Sequence, residues 1–129
     1  MANQFVVQLT NEPGAMAVLA EALAARGVDL RAIGGGGIGD AGHVIMTTAD
    51  DDATRAILDE GSYTYIEGES ILAEVDDRPG GMAKLARQLA DAGVNIYGHL
   101  FLGRWGDRAM FAFIVDAPEV ARPILERKA

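Results

Sequence analysis

The chain contains two copies of one segment, and this repeat constrains the fold more than any other feature of the sequence. Residues 13–30 read PGAMAVLAEALAARGVDL, and residues 79–96 read PGGMAKLARQLADAGVNI. Ten of the first sixteen positions are identical, among them the Pro-Gly pair, the Met and the closing Gly-Val. Alanine-rich composition alone does not align those residues, so the two segments indicate an internal repeat.

Both copies predict the same order of elements around this segment. A strand comes first, Phe5–Leu9 or Ile71–Val75, and a polar turn then leads to Pro-Gly and an amphipathic helix. The proline is expected in the first helical turn, where its missing N–H is no loss. A glycine ends each helix. The stripes expected to pack on a sheet are Met16, Leu19 and Leu23 in the first copy and Met82, Leu85 and Leu89 in the second.

The later elements continue the repeat. A second strand begins at Val28 or Val94, and the third strand, 43–48, aligns without a gap with residues 109–114. A second helix is predicted over 53–60, after the acidic residues 50–52, which suit the positive end of a helix. Its counterpart runs from Val120 to about Lys128, which keeps Pro123 in the first turn. A fourth strand near residues 63–66 has no counterpart, because the second copy ends first.

This order predicts an α+β fold of two ferredoxin-like βαββαβ repeats with antiparallel sheets, the second repeat lacking its last strand. The predicted domains are residues 1–68 and 69–129. Half of the 129 residues are apolar, which is enough for a core, and there is no cysteine. The net charge of −8 argues against nucleic-acid binding. No apolar run is long enough to cross a membrane and no secretory signal is present, so a cytoplasmic location is expected by default.

The glycines of residues 34–42 at first resemble a phosphate-binding loop. Such a loop needs a helix after the glycines, whereas a strand follows here and no Gly-Lys-Ser/Thr is present. Glycine within a strand instead indicates close backbone approach, a bulge or a bend. Residues 100–108 occupy the same place in the second copy and begin with Leu-Phe-Leu. The first copy therefore has no side chains at positions where the second has large apolar ones.

The strand, the Asn or Asp, the Pro-Gly helix and the following Gly-Val-Asp/Asn resemble the ACT domain, in two copies that span nearly the whole chain. The resemblance implies a non-enzymatic regulatory protein that binds a small molecule, typically an amino acid, at an interface between such domains. It also implies a possible partner enzyme. The family's ligand contacts, carried over by position, fall on Asn11, Gly14, Ala15, Met16 and Asp29 in the first copy and on Asp77, Gly80, Gly81, Met82 and Asn95 in the second.

The chemistry of these residues suits an amino acid. Unpaired N–H groups at a helix start bind a carboxylate, and an acid or an amide carbonyl binds an ammonium group. Each copy supplies one acid and one amide, Asn11 with Asp29 and Asp77 with Asn95. The second pair matches the usual family arrangement better, so it is the expected site if only one is occupied. The alternative to ligand binding is a purely structural role, because residues of these types are also common as helix caps and in loops.

Other site classes have weaker support. His43 and His99 are the only histidines and have no clustered acids at metal-ligand spacing, so neither a metal nor a cofactor is predicted. The functional alternative is an interaction subunit without a ligand, which dimerises and holds a partner enzyme. The missing last strand would leave residues 71–75 with an unpaired edge, and a homodimer is therefore expected.

Overall fold

The computed structural model describes residues 2–126, which form two compact units, one up to Gly68 (unit 1) and one from Glu69 onward (unit 2). The elements associated with unit 1 are β1 (Asn3–Thr10), α1 (Ala15–Ala25), β2 (Leu30–Ile38), β3 (Ala41–Thr48), α2 (Asp51–Glu60) and β4 (Tyr65–Glu69). Those of unit 2 are β5 (Ile71–Asp76), α3 (Gly81–Asp91), β6 (Ile96–Trp105), β7 (Arg108–Val115) and α4 (Pro118–Leu125).

The sheet of unit 1 has the strand order β2-β3-β1-β4, and β3 pairs antiparallel with both β1 and β2. This is the ferredoxin-like order that the element pattern predicted. Unit 2 has the order β5-β7-β6, also antiparallel, so within this unit β5 is an edge strand. The predicted fold class is confirmed, including the strand that the second repeat lacks.

Each unit has its own apolar core between its helices and one face of its sheet. In unit 1, Leu19 and Leu23 of α1 pack on β1 and β3, and in unit 2 Leu85 and Leu89 of α3 pack on β5 and β7. The placement of Met16 in the buried stripe was wrong, because its side chain is 52% exposed. Met16 lies in the first turn of α1, close to the glycines of β2, where no bulky strand residue covers it. Met82, its counterpart, packs partly buried against the unit 2 core.

The Pro-Gly pairs form the turns before the helices and are not part of them, which corrects the predicted place of the proline. Ala15 N–H donates to the carbonyl of Glu12, and Gly81 N–H donates to that of Arg78. The second central residues, Gly14 and Gly80, have φ of 90° and 92° with ψ near zero. These are type II turns, in which proline fits the first central position and glycine alone adopts the second without strain.

The second copy has an additional one-residue bulge in β6 that the first copy lacks. The expected alignment of the two copies without a gap was therefore wrong beyond this point. In β6 the register shifts between Phe101 and Gly103, which leaves Leu102 as the additional residue. Met46 of β3 opposes Phe5, whereas Phe113 of β7 opposes Ile71, so the offset between the copies is one residue larger in this strand than in the first. Bulges of this kind redirect the side chains on either side of them.

The last helix also starts earlier than the sequence predicted. It begins with Pro118 at its first turn, so Pro123 lies inside the helix and not at its start. Pro118 is pre-organised for a helix start and loses no hydrogen bond there. Pro123 has no N–H to donate within the helix. The helix continues past it, and Ala121 and Leu125 on either side are fully buried in the core. The predicted extension to Lys128 lies outside the described residues.

A forked ion pair joins α2 to β4 in unit 1. Arg55 Nε donates to Glu67 Oε1 over 2.7 Å and its Nη2 to Oε2 over 2.6 Å, while Asn3 Nδ2 donates to Oε2 over 2.8 Å. The Glu67 side chain is only 15% exposed. The bonds from Arg55 and, more weakly, Asn3 hold the pKa of Glu67 below its usual value, although burial opposes the shift. Bidentate pairs of this kind are stronger than ordinary surface ion pairs.

Because the folded pKa of Glu67 is lowered, its stabilising effect is present above the ordinary carboxyl pKa and is lost as pH falls through the folded value. We expect Glu67→Gln to lower the free energy of unfolding by about 1–3 kcal/mol at pH 7 and by much less at about pH 3. Urea unfolding at both pH values measures this. Glu60→Gln is the control, because Glu60 pairs with Arg26 on the exposed surface and should change stability by under about 1 kcal/mol. An equal loss at both pH values for Glu67→Gln would contradict the assignment.

Candidate functional site

The turn before α1 places several polar groups at one end of unit 1. Asn11 N–H donates to the carbonyl of Asp40, and Asn11 Nδ2 donates to that of Gly39 over 2.8 Å. These bonds tie the turn to the β2–β3 hairpin and direct the amide oxygen of Asn11 against the bare face of Gly37. Thr10 Oγ1 donates to the Glu12 carboxylate over 2.9 Å. The turn of unit 1 therefore presents an amide carbonyl and a carboxylate, both of which accept hydrogen bonds.

The same turn leaves N–H donors at the helix start. Helix α1 has Gly14 at its N-cap and no side-chain cap, and α3 has Gly80 there, likewise uncapped. The amides of Met16 and Ala17, the second and third helical residues, have no partner inside the helix. Acceptors in the turn after β1 and donors at the start of α1 are therefore a few residues apart, which is the arrangement expected for a zwitterion.

A hollow of about 280 Å³ opens beside this turn, on the helix-facing side of the unit 1 sheet. Its apolar walls are the side chains of Leu9, Met16, Ile33 and Val44, and its floor is the backbone of the glycines of β2. A second hollow, of about 740 Å³, lies at the same turn and is lined mainly by polar residues, namely Gln8, Thr10, Glu12, Asp40, Ser62 and Thr64. The residues Asn11, Ala15 and Met16, predicted from the resemblance, all line the smaller hollow.

The equivalent turn in unit 2 is built from ion pairs. Arg104 Nε donates to Asp77 Oδ2 over 2.7 Å, and the Arg104 guanidinium carbon lies 4.8 Å from the centre of the Phe101 ring. Arg108 donates to Asp76, which also pairs with Arg78. A hollow of about 350 Å³ is present here too, and its lining combines four charged residues, Asp76, Asp77, Arg78 and Arg104, with apolar residues that include Met82 and Phe111.

The differences between the two hollows come from four positions, once the bulge is taken into account. Gly35 opposes Val44 in unit 1, and Phe101 opposes Phe111 in unit 2, where the two rings pack edge to face at 5.6 Å. Gly37 corresponds to Arg104, and Gly42 to Ala109. Unit 2 therefore carries rings and a guanidinium group at positions where unit 1 has Val44 or bare backbone.

The remaining predicted residues, Asp29 and Asn95, lie elsewhere in their units. Asp29 accepts the N–H of Ala49, past the end of β3, whereas Asn11 bonds to Asp40, before its start. The two residues are therefore at opposite ends of the unit 1 sheet. Asn95 N–H likewise donates to Asp116 Oδ1, while Asp77 bonds to Asp107 at the other end of β7. Within a unit, the structure does not bring either acid and amide pair together.

Gly80 is the N-cap of α3, and Gly81 lines a separate hollow between β5 and α3. His43 lines the unit 1 hollow, and the ring of His99 lies 6.0 Å from that of Phe113. Among residues 2–126 no three His, Cys, Asp or Glu side chains are grouped so that they could hold a metal ion. No helix in the same range is long and apolar enough to span a membrane.

Glycine at the turn is required by the backbone and not by crowding. A Cβ on Gly14 or Gly80 would meet nothing within 4 Å, but both residues have strongly positive φ. We therefore expect Gly14→Ala and Gly80→Ala each to destabilise the protein by about 1–2 kcal/mol through backbone strain alone. Thermal unfolding checks this, with Gly36→Ala as the control at an equally open position without positive φ. Equal stability of all three variants would contradict the type II assignment.

Comparison with known proteins shows a likeness in structure. No protein-family model matches the chain, and no curated protein matches it either. A solved protein from Bacteroides thetaiotaomicron is 20% identical, with a TM-score of 0.73 over 97% of this chain and 86% of that one. The ligand-free regulatory subunit of aspartate kinase from Thermus thermophilus is 19% identical, with a TM-score of 0.62 over 97% of this chain and 89% of that one.

The regulatory subunit of aspartate kinase from Thermus flavus is also similar, at 19% identity and a TM-score of 0.64, over 98% of this chain and 92% of that one. At identities this low the likeness shows the fold alone. That fold is ferredoxin-like and of the ACT type.

Proposed function

We propose that this chain is a non-enzymatic regulatory protein that binds an amino acid at the turns between its first strands and helices. The observation that carries the proposal is the turn itself, which occurs twice with the same geometry. In each copy an uncapped helix start, an acceptor at the end of the preceding strand and an adjacent hollow lie together. The fold shared with regulatory subunits of aspartate kinase supports the regulatory part of the proposal.

The chemistry of the turn explains how a zwitterion would be held. The ligand carboxylate accepts hydrogen bonds from the first-turn amides, which lie at the positive end of the helix dipole. The ammonium group donates to the amide oxygen of Asn11 and to Glu12 in unit 1, or to Asp77 in unit 2. No acid-base pair or activated nucleophile is part of this arrangement, and none is required for binding.

Isothermal titration with each of the twenty amino acids tests the proposal. We expect at least one to release or absorb heat with a saturable isotherm at millimolar concentration or below, and to raise the unfolding temperature as a ligand of the folded state does. Absence of both effects for all twenty would refute amino-acid binding.

Substitutions at the turns then locate the site. We expect Asn11→Ala or Asp77→Ala, whichever residue faces the bound ligand, to weaken binding by about 1–3 kcal/mol, the cost of leaving a polar ligand group without its partner. Asp91→Ala is the charge-matched control, because Asp91 pairs with Arg87 on the exposed surface of α3. Asn95→Ala and Asp29→Ala test whether the start of the second strand contributes. If all four site variants bind like the parent, the site lies elsewhere and these residues are structural.

Asp29 and Asn95 lie at the far end of their own units from the turns. The reason to propose a homodimer is the unpaired edge of β5 within unit 2. Light scattering at micromolar concentration should give twice the chain mass of 13.6 kDa. A monomer that persists as the concentration rises would show that no dimer forms.

The second candidate is an interaction subunit that holds a partner enzyme without a ligand of its own. The observation that favours it is the side chain of Trp105, 60% exposed at the end of β6 next to the β6–β7 hairpin, because exposed Trp often anchors protein interfaces. Two results together would favour this alternative. One enzyme should co-purify with the parent protein in equal amounts but not with Trp105→Ala, and no amino acid should bind.

A further inference from the structure

The two hollows have different linings, and the difference bears on what each can hold. Both have volumes near the lower end of small-molecule sites, so size alone does not distinguish them. The unit 2 hollow carries Asp77, Arg78 and Arg104 at its surface, where an apolar group would strip water from charges. The unit 1 hollow has one carboxylate, Glu12, and no Lys or Arg in its lining, and it reaches along the sheet as far as Ile33.

From these linings we infer that the unit 1 hollow binds the side chain of an aliphatic amino acid, such as valine, leucine, isoleucine or methionine, and that the unit 2 hollow does not. The inference rests on the proposed function, which places the ligand's charged groups at the turn. With those groups at Asn11 and the start of α1, the ligand side chain points between Met16 and the glycines of β2. Leu9, Ile33 and Val44 then surround it with apolar atoms.

The bare floor of the unit 1 hollow is maintained by the backbone. A Cβ on Gly35 would overlap the carbonyl oxygen of His43 on the neighbouring strand, well inside van der Waals contact. A Cβ on Gly37 would overlap the side chain of Asn11. Neither position has room for a larger residue without movement of its neighbour. In unit 2 the corresponding positions hold Phe101 and Arg104, so side chains stand there in place of bare backbone.

Met16 is unusual among the wall residues because its side chain is half exposed before any ligand binds. Exposed methionine is a flexible apolar surface that adapts to the group packed on it. An aliphatic ligand would cover this side chain and part of Ile33, which is also partly exposed. Covering apolar area of this kind contributes affinity in proportion to the size of the ligand side chain.

The test combines a ligand series with one matched pair of variants. Titration of the parent protein with glycine, alanine, valine, leucine and methionine should show affinity rising by about fourfold for each added methylene group. Lysine and aspartate should bind at least tenfold more weakly than leucine. Met16→Glu should weaken leucine binding by about tenfold or more. Ala24→Glu places the same charge on an exposed residue near the other end of α1, which lines neither hollow of unit 1, and should weaken it by less than about threefold.

Methyl NMR of the methionines reports the site directly. With leucine at saturation, the Met16 methyl signal should shift and that of Met82 should stay in place. If lysine, aspartate or another polar amino acid binds best, or if Met82 shifts in place of Met16, the inference is wrong while amino-acid binding stands. Equal losses for Met16→Glu and Ala24→Glu would also overturn it, because a negative charge anywhere on α1 would then explain both. If no amino acid binds, the inference and the proposed function fail together.

Discussion

Phe113→Ala is expected to destabilise unit 2 by about 3–5 kcal/mol, which is the usual cost of truncating a fully buried phenylalanine. Phe113 is 1% exposed and lies on the central strand of a three-stranded sheet. Its ring is 6.2 Å from that of Phe111, and its neighbours in the core include Leu85, Leu89 and Leu125. A unit of about sixty residues buries little surface and has little stability to lose. The variant should therefore leave unit 2 largely unfolded.

Hydrogen exchange followed by mass spectrometry can measure this separately in each unit. Peptides from α3, β7 and α4 should lose protection in Phe113→Ala. Phe101→Ala is the matched control, because the same residue type on the neighbouring strand is 49% exposed and its removal should cost less than half as much. Similar losses for the two variants would show that Phe113 is not the centre of this core.

The order of elements was predictable because each signal has one local physical cause. Pro13 and Gly14 predicted the start of a helix, and although the proline lies in the turn before it, the helix does begin directly after Gly14. Leu19 and Leu23 predicted a buried helix face through their spacing. These effects act within a few residues of the chain, so a repeat of the pattern 66 residues later predicts a repeat of the structure.

The bulge at Leu102 was missed because a chance identity concealed it. Without a gap Gly37 aligns with Gly103, which makes the ungapped alignment look correct through β2. The signal that could have found the bulge lies in the hairpins. Gly39-Asp40 and Gly106-Asp107 are identical pairs, and both glycines have φ near 60°. Glycine at the first of the two hairpin residues adopts a positive φ that few other residues tolerate, so these pairs mark equivalent positions more reliably than Gly37 and Gly103 do.

The candidate site was predictable only where it depends on the turn. Asn11, Met16, Asp77 and Met82 line hollows, and their contact with a ligand stays a prediction. The walls were missed because they come from Ile33 and Val44, which are distant from the turn in the chain and are brought to it by strand pairing. The pairing of Arg104 with Asp77 was also missed, since it depends on the direction that the bulge gives to Arg104. Long-range register is not readable from one local pattern.

Gly81→Ala is expected to destabilise unit 2 by about 2–4 kcal/mol, more than glycine-to-alanine changes elsewhere in the chain whose new Cβ meets open space. Gly81 is the first residue of α3, where alanine would ordinarily favour the helix. Here, however, an added Cβ would overlap the backbone carbonyl oxygen of Asp76 at the end of β5. That oxygen cannot rotate away as a flexible side chain would, so the helix start and the strand end must separate.

The comparison with unit 1 isolates the cause. Ala15 occupies the equivalent first helical position there, so a Cβ is compatible with this turn when the strand end leaves room. Gly36→Ala serves as the control, because a Cβ there meets nothing within 4 Å and should change stability by under about 1 kcal/mol. Chemical denaturation gives the free energies, and hydrogen exchange at α3 shows whether the loss is local to unit 2. If Gly81→Ala is as stable as the parent, the close approach of α3 to β5 is not a constraint on this turn.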